Sequence, residues 1–337
     1  MSRCLHLCKP SFEPVLGREL AWHGQTVVET GPGWVLAEEG STAAPEAGEL
    51  CFAHYSLLAP LELREATVNA QAAALAALAA ERFREERIAA EWPLLFLTAA
   101  VEGVSGRTHG VEAEFRRRME RKMARVFRLA VAAAPMSPAP LRGLCVFFAG
   151  YDRFFAATRF RFWGQRRMKD DPEAPSRSYL KAEEAYGILG REPGPGETVV
   201  DLGAAPGGWS WSAAKRGARV VAVDNGPLKG GAARSPQIRH LREDAFRYEP
   251  PGGRPVDWLF CDLIENPYRV LGEILLPWLE RGGCRRFVVN LKFGHHDPVQ
   301  LLRKLWAPRG GVAARCRGFR VRQLHHDREE ITLIGEV

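Results

Sequence analysis

The sequence predicts two architectures in one chain: an α/β region with a doubly wound, largely parallel sheet after Thr198, and an α+β region ahead of it. Three observations carry this reading. From Thr198 onward, short apolar runs (TVVDLG, ARVVAVD, QIRHLRED, VDWLFCD, FVVNLK) alternate with helix-length segments, the pattern of strands joined by crossover helices. The first of these runs opens into a glycine-rich turn, DLGAAPGGWSW, from Asp201 to Trp211, the place where such sheets bind ligands. Upstream of the loop GREPGPGET, strands and helices follow one another without that regular alternation.

In chain order, CLHLC reads as a strand, Glu13 to Trp22 as a helix and WVLAEEG as a second strand. The Ala-rich stretch NAQAAALAALAAERFREERIAAEW reads as one long helix, with no internal repeat. From Glu114 to Arg128 (EFRRRMERKMARVFR), Phe115, Met119, Met123, Val126 and Phe127 stand at helical spacing among seven basic residues. The apolar stripe predicts core packing and an arginine-rich outer face. A Pro-rich passage, AAAPMSPAPLRG, ends that helix before the strand LCVFFAG.

Next comes RFFAATRFRFWGQRRMK, Arg153 to Lys169, with six basic residues, no acidic ones, and Phe154, Phe155, Phe160, Phe162 and Trp163 interleaved. Arginine meets phosphate and aromatic rings stack on unpaired bases, so the mixture predicts RNA contact. The same alternation also suits a half-buried strand. The expected RNA-binding residues are Arg117, Arg118, Arg121 and Arg125 on the basic helix and Arg159, Arg161, Arg166 and Arg167 in this second cluster. APSRSYLKAEEAY then reads as a helix carrying Lys181, capped by Ser176 or Ser178.

The 337 residues are 46% hydrophobic and 26% charged, with a net charge of +7, which argues against a disordered or fibrous chain. The opening MSRCLHLCKPSFEP carries too short an apolar run to be expected to act as a signal peptide, and nowhere do about 18 apolar residues run together. A cytoplasmic location, without membrane contact, is expected. The seven scattered cysteines form no Cys-x-x-Cys and predict buried, reduced thiols; no metal site is expected.

Function gathers at the strand ends. Asp201, Asp224, Asp244, Asp262 and Lys292 stand at or beside the ends of apolar runs, so the sheet should line them along one edge. Between Gly203 and Gly208, missing side chains would let backbone approach a ligand at a helix N-terminus. Asp224, after the second strand, is placed for ribose hydroxyls, as NAD or S-adenosylmethionine would each require. Lys181, Asp262, Lys292 and one of Glu329 and Glu330 then add two lysines and two carboxylates, a set that can tune a proton. Glu329 and Glu330 point to opposite faces of a strand, so only one can join.

The order Lys, Asp, Lys, Glu around such a sheet resembles the FtsJ-type ribose 2′-O-methyltransferases. The segments APSRSYLKAEEAY, DLGAAPGGW, VDNGPL, LREDAF, CDLIENP, NLK and QLHHDREEITL, spread from Ala174 to Leu333, are similar to the bacterial ribosomal RNA large-subunit methyltransferase M family. Over the first 150 residues the likeness rests on CLHLCKPSFE. The resemblance implies a Rossmann-like class I S-adenosylmethionine-dependent methyltransferase domain preceded by ferredoxin-like and THUMP domains. It divides the chain into residues 1–60 (ferredoxin-like), 61–158 (THUMP-like, RNA-binding), 159–190 (basic linker and first catalytic helix) and 191–337 (methyltransferase).

It further implies methyl transfer from S-adenosylmethionine to the ribose 2′-hydroxyl of a cytidine in 23S ribosomal RNA or its precursor; a monomer with no stable protein partner is expected. Lys292 falls on the base, with Lys181, Asp262 and Glu330 around it; the family pattern selects Glu330 over Glu329. Cofactor contacts fall on Ser178, Asp201, Gly203, Ala205, Pro206, Gly207, Gly208, Trp209, Asp224, Asp244 and Asp262. Ala205 stands where the family often has cysteine, and FGHHDP replaces the proline and lysines that commonly follow the base. Rival readings are a THUMP-type base N-methyltransferase, suggested by ENPY at Glu265–Tyr268, a non-catalytic RNA-binding assembly factor, and an NAD-dependent enzyme.

Overall fold

The computed structural model describes residues 2–40, 49–84, 88–137, 139–250 and 254–337. The chain forms two compact units, one of Met1–Ala44 and Phe52–Gly164, the other of Pro45–Cys51 and Gln165–Val337.

The first unit contains β1 (Arg3–Leu7), α1 (Glu13–Trp22), β2 (Gln25–Gly31), β3 (Trp34–Glu39), β4 (Tyr55–Leu58), β5 (Leu61–Arg64), α2 (Val68–Arg84), β6 (Trp92–Thr98), α3 (Val104–Phe127), β7 (Ala130–Val131), β8 (Leu141–Phe148) and β9 (Arg153–Phe162). One sheet runs β2-β3-β1-β4-β9-β8-β6-β7, with β5 also paired to β9. Both of its faces are buried. Leu94, Val146, Phe148, Phe154 and Ala156 join a core with Phe115 and Met119 of α3, while their neighbours Leu95, Cys145, Phe147, Phe155 and Ala157 pack with Leu5, Leu36 and Leu57 on the other side. A strand buried on both faces carries a continuous apolar run rather than an alternating one, which is why LCVFF reads as it does.

Three expectations change here. The aromatic residues of RFFAATRFRFW are not stacking platforms: Phe154, Phe155, Phe160 and Phe162 lie in the core, at 0 to 4% exposure. They are consumed by the two-sided burial of β9. β9 also runs through position 158, so Arg159 to Phe162 continue a strand instead of opening a linker. The Ala-rich helix is described only to Arg84; residues 85–87 lie outside the described residues, and residues 88–91 are not helical. The β-rich run WPLLFLT, with Pro93 denying a helical hydrogen bond, takes over from Trp92.

The second unit contains α4 (Tyr179–Leu189), β10 (Thr198–Leu202), α5 (Gly208–Ala214), β11 (Arg219–Val223), α6 (Gly230–Arg234), β12 (Ile238–Leu241), β13 (Val256–Cys261), α7 (Pro267–Arg269), α8 (Leu276–Glu280), β14 (Cys284–Lys292), α9 (Pro298–Trp306), β15 (Arg317–Arg322) and β16 (Glu330–Glu336). Its sheet runs β12-β11-β10-β13-β14-β16-β15. The first five strands are parallel, and β16 enters antiparallel between β14 and β15. Chain direction across the sheet reverses between β10 and β13, the switch point where a doubly wound sheet opens a crevice beyond its carboxyl ends.

Aromatic contacts seat the helices against the sheet. Tyr186 of α4 meets Trp258 edge-on at 5.9 Å between centroids, and Trp209 of α5 meets Phe260 at 5.7 Å. The antiparallel pairing of β16 with β14 sets Lys292 opposite Glu330. β15 escapes sequence reading because RGFRVR carries three arginines; Phe319 and Val321 face inward, as an edge strand protected by charge allows. All seven cysteines are free thiols, six of them buried. Among the described residues no helix is long and apolar enough to cross a membrane, and no three His, Cys, Asp or Glu side chains gather as metal ligands.

Candidate active site

The turn after β10 is built by backbone needs that only small residues meet. Gly203 has φ +77° and Gly207 φ +106°, both left-handed. A Cβ on Gly203 would stand 2.5 Å from Leu263 Cδ2, and one on Gly207 2.5 Å from Ala232 Cβ, so either side chain would break the turn. Asp224, just after β11, clamps it from the adjoining strand: Oδ2 accepts from the Ala205 amide at 3.0 Å and Oδ1 from the Gly226 amide at 2.7 Å. The result is a cradle with bare backbone facing the crevice and a carboxylate at its rim, which fits the ribose end of a nucleoside cofactor.

Not every residue assigned to that cradle faces it. Asp201 is fully buried and accepts from Ser210 Oγ at 2.6 Å, bracing α5 from behind; burial pushes its carboxyl up to about 7. Trp209 is also buried, its Nε1 donating to the Ser178 carbonyl at 2.8 Å. Ser178 occupies the cap position of α4, yet its hydroxyl bonds Ser176 Oγ at 2.8 Å and makes no cap bond, which corrects the capping expectation. Asp244 lies three residues beyond β12, exposed, accepting from the Phe246 amide at 2.9 Å.

Beside the cradle, four charged side chains from four elements converge. Lys181 Nζ of α4 donates to Asp262 Oδ1 at 2.9 Å and Glu330 Oε1 at 3.3 Å. Lys292 Nζ, closing β14, donates to the same Asp262 oxygen and pairs with Glu330 Oε2 at 2.8 Å. Each carboxylate therefore bridges both lysines. Glu329 is exposed, and its carbonyl accepts from the Phe293 amide at 2.9 Å.

Burial alone would lower the Lys292 pKa, but Asp262 and Glu330 outweigh it and hold the ammonium well above the usual lysine range. For Glu330, burial works to raise the carboxyl, and Lys181 and Lys292 reverse it, holding it below the usual range. Lys292 is thus held as an ammonium and Glu330 as a carboxylate. A ring of this kind can pass and hold a proton at the sheet edge.

Three residues of this neighbourhood were not singled out on sequence. Asn290 Oδ1 accepts from Lys292 Nζ at 2.7 Å, and Asn290 Nδ2 donates to Asp327 Oδ1 at 3.0 Å. Glu184 of α4 takes the backbone amides of Arg166, His325 and His326 at 3.0, 2.7 and 3.2 Å. The signal was present: a lone polar residue inside the apolar strand FVVNLK needs a buried partner.

The expected RNA-contacting residues divide. Arg121, Arg125, Arg159 and Arg167 are exposed, whereas Arg117 and Arg118 are both bonded to Glu114, at 2.7 and 2.6 Å. Arg161 is half-buried with its guanidinium 5.8 Å from the Trp163 ring, and Arg166 is exposed. In ENPY, Asn266 caps α7, accepting from the Tyr268 amide at 2.9 Å, and Tyr268 packs edge-on against His296. An asparagine spent on a helix cap is not presented to grip a planar amine.

Residues 174–271 match the model of the FtsJ-like methyltransferase family. Among curated proteins, Ribosomal RNA large subunit methyltransferase M of Laribacter hongkongensis is 38% identical over 239 residues, covering 66% of this chain and 65% of that protein. The protein of the same name from Alkalilimnicola ehrlichii is 46% identical over 178 residues, covering 51% of this chain and 48% of its own. The matches thus span about half to two thirds of these relatives' length. Among solved structures, TrmN from Thermus thermophilus aligns over 100% of both chains at 18% identity, with a TM-score of 0.38.

Proposed function

With residues 174–271 of the FtsJ-like methyltransferase type as the premise, we propose that this chain transfers a methyl group from S-adenosylmethionine to the ribose 2′-hydroxyl of a cytidine in 23S ribosomal RNA. The observation that carries the reading is the ring of Lys181, Asp262, Lys292 and Glu330. The curated relatives named as large-subunit ribosomal RNA methyltransferases support the substrate. In the same reading residues 1–60 form the ferredoxin-like module and the stretch from 61 to the end of β9 at Phe162 the THUMP-like module that binds RNA, and the protein is a cytoplasmic monomer.

The cradle of Gly203, Ala205, Pro206, Gly207 and Gly208, with Asp224 at its rim, holds the cofactor. S-adenosylmethionine supplies an electrophilic methyl group when bound there. A ribose hydroxyl is a poor nucleophile, so its proton must leave as the new C–O bond forms. Lys292, in its neutral form, accepts that proton and ends as an ammonium. Lys181 hydrogen-bonds the hydroxyl oxygen and stabilises its developing negative charge. Asp262 and Glu330 hold the two lysines at fixed spacing, which supplies the orientation that in-line displacement demands.

The test is direct. Incubating the protein with methyl-labelled S-adenosylmethionine and unmodified 23S RNA, then digesting to nucleosides for mass spectrometry, yields 2′-O-methylcytidine on this account. Label on a nucleobase assigns the chain to base methylation instead. Cofactor binding without transfer to either naked RNA or a large-subunit precursor leaves an RNA-binding assembly factor.

A further inference from the structure

The Lys292 ammonium has three hydrogens, and the structure provides three acceptors: Asp262, Glu330 Oε2 and Asn290 Oδ1. The first two belong to the ring already described. The third has its own support. Asn290 is fully buried, and its two amide hydrogens are both committed, to Asp327 Oδ1 and Thr332 Oγ1 at 3.0 Å each. An amide whose NH₂ is fixed in this way can present only its oxygen to the lysine.

Asp327 is what fixes it. Its carboxylate is buried and is itself held by the Leu324 amide at 2.9 Å and by Thr332 Oγ1 at 3.1 to 3.2 Å. While ionised it is acceptor-only and cannot tolerate the oxygen of Asn290, so the amide cannot turn over; burial pushes its carboxyl up to about 7, and the lock tightens as pH rises past that value. If the amide did turn over, the NH₂ would face the ammonium and repel it.

We propose that Asn290 and Asp327 are a positioning pair for the base: Asp327 locks the amide, and the Asn290 oxygen completes the acceptor set of the ammonium that Lys292 becomes on taking the ribose proton. The inference rests on the reading of Lys292 as the base. In the transfer, the O2′–H bond breaks, its electrons go to the new O–C bond, and the proton passes to Nζ, giving an ammonium that Asp262, Glu330 and Asn290 can accept from. The logic is that of a base oriented and stabilised by a third group behind it. The charged and titratable groups facing Lys292 are Asp262 beyond β13, Glu330 of β16, Lys181 of α4 across those carboxylates, Asp327 behind Asn290, and the Cys261 thiol.

The test uses the full chain with Asn290→Leu, Asp327→Asn and Lys292→Met, each checked for folding by circular dichroism. The first readout needs no turnover: NMR of the Lys292 ammonium protons at neutral pH, assigned by their loss in Lys292→Met. Their exchange with water is expected to accelerate about tenfold or more in Asn290→Leu and in Asp327→Asn, because one of three hydrogen bonds is lost. The second is the pH profile of single-turnover methyl transfer. Removing an acceptor destabilises the charged form, so a larger neutral fraction is present at each pH and the midpoint of the acid limb moves to lower pH by about one unit.

A lesion that merely loosened the strand would lower the plateau without moving the limb. Asp327→Asn keeps shape and volume, so it carries the test if Asn290→Leu does not fold. Folded variants with unchanged proton exchange and an unmoved acid limb, alongside an inactive Lys292→Met, overturn this inference alone. Undiminished transfer by Lys292→Met overturns the base assignment on which it rests.

Discussion

The two units use their cations in opposite ways. In the second unit Lys181 and Lys292 are largely withdrawn from water and each is shared between the same two carboxylates. In the first unit the arginines of the basic stretch of α3 lie at the helix surface, where Arg116 pairs with Glu112 and Arg117 and Arg118 pair with Glu114. A buried lysine costs several kcal/mol to desolvate unless it is compensated, so two of them in one place mark chemistry rather than stability. An exposed arginine costs almost nothing and adds its attraction to a polyanion one charge at a time. On the proposed reading, residues of one charge type do local, geometry-dependent work in one unit and diffuse, additive work in the other.

The comparison is broken most forcefully at the base. Lys292→Met is expected to lower single-turnover methyl transfer by about 10³-fold with cofactor and RNA affinities unchanged, the range for a positioned proton acceptor; Lys181→Met should cost about 10²-fold by the same assay. Loss confined to KM would place both lysines in binding only. Next comes the cradle. Asp224→Ala removes the rim carboxylate and frees the Ala205 and Gly226 amides, so calorimetry should record S-adenosylmethionine binding weakened about 10 to 100-fold, with RNA binding intact.

pH sharpens the same contrast. The base must be neutral to accept a proton, and Asp262 and Glu330 hold Lys292 protonated. The rate of the chemical step should therefore climb about tenfold per pH unit through the neutral range. Asp262→Asn lowers the Lys292 pKa by removing one anion, and shifts that rise to lower pH. A rate that is flat in both proteins between pH 6 and 9 would contradict the assignment.

The smallest effects belong to the first unit. Replacing the exposed Arg121 and Arg125 together with Glu should weaken RNA binding about tenfold and flatten its salt dependence by roughly 0.7 to 0.9 per lost phosphate contact, without changing the chemical rate. Arg117→Ala should change RNA affinity less than about twofold, since Glu114 already holds that guanidinium. Equal effects at Arg117 and Arg121 would show that exposure and pairing do not sort these residues.

What the sequence disclosed follows the same division. Strand ends were legible because a charged residue closing an apolar run is a local signal, and Asp262, Lys292 and Asp224 were each visible that way. Lys181 was visible locally only as a residue of a helix; its grouping with Asp262, Lys292 and Glu330 came from the family resemblance. β15 was hidden by its three arginines, while Asn290 stood out as a lone polar residue in an apolar strand whose buried partners lie far away in sequence. In the first unit the error was of face. The aromatic residues of β9 looked available for bases because alternation with arginine mimics a one-sided strand, whereas a second layer of core covers the other side.

One measurement bears on the central claim most directly. Wild-type protein and Lys292→Met, both shown to bind S-adenosylmethionine, are given unmodified 23S RNA under single-turnover conditions, and the digested nucleosides are quantified by mass spectrometry. The account predicts 2′-O-methylcytidine from the wild type and a yield about 10³-fold lower from the variant. Methyl groups on a nucleobase, or equal 2′-O-methylcytidine from both proteins, would contradict it.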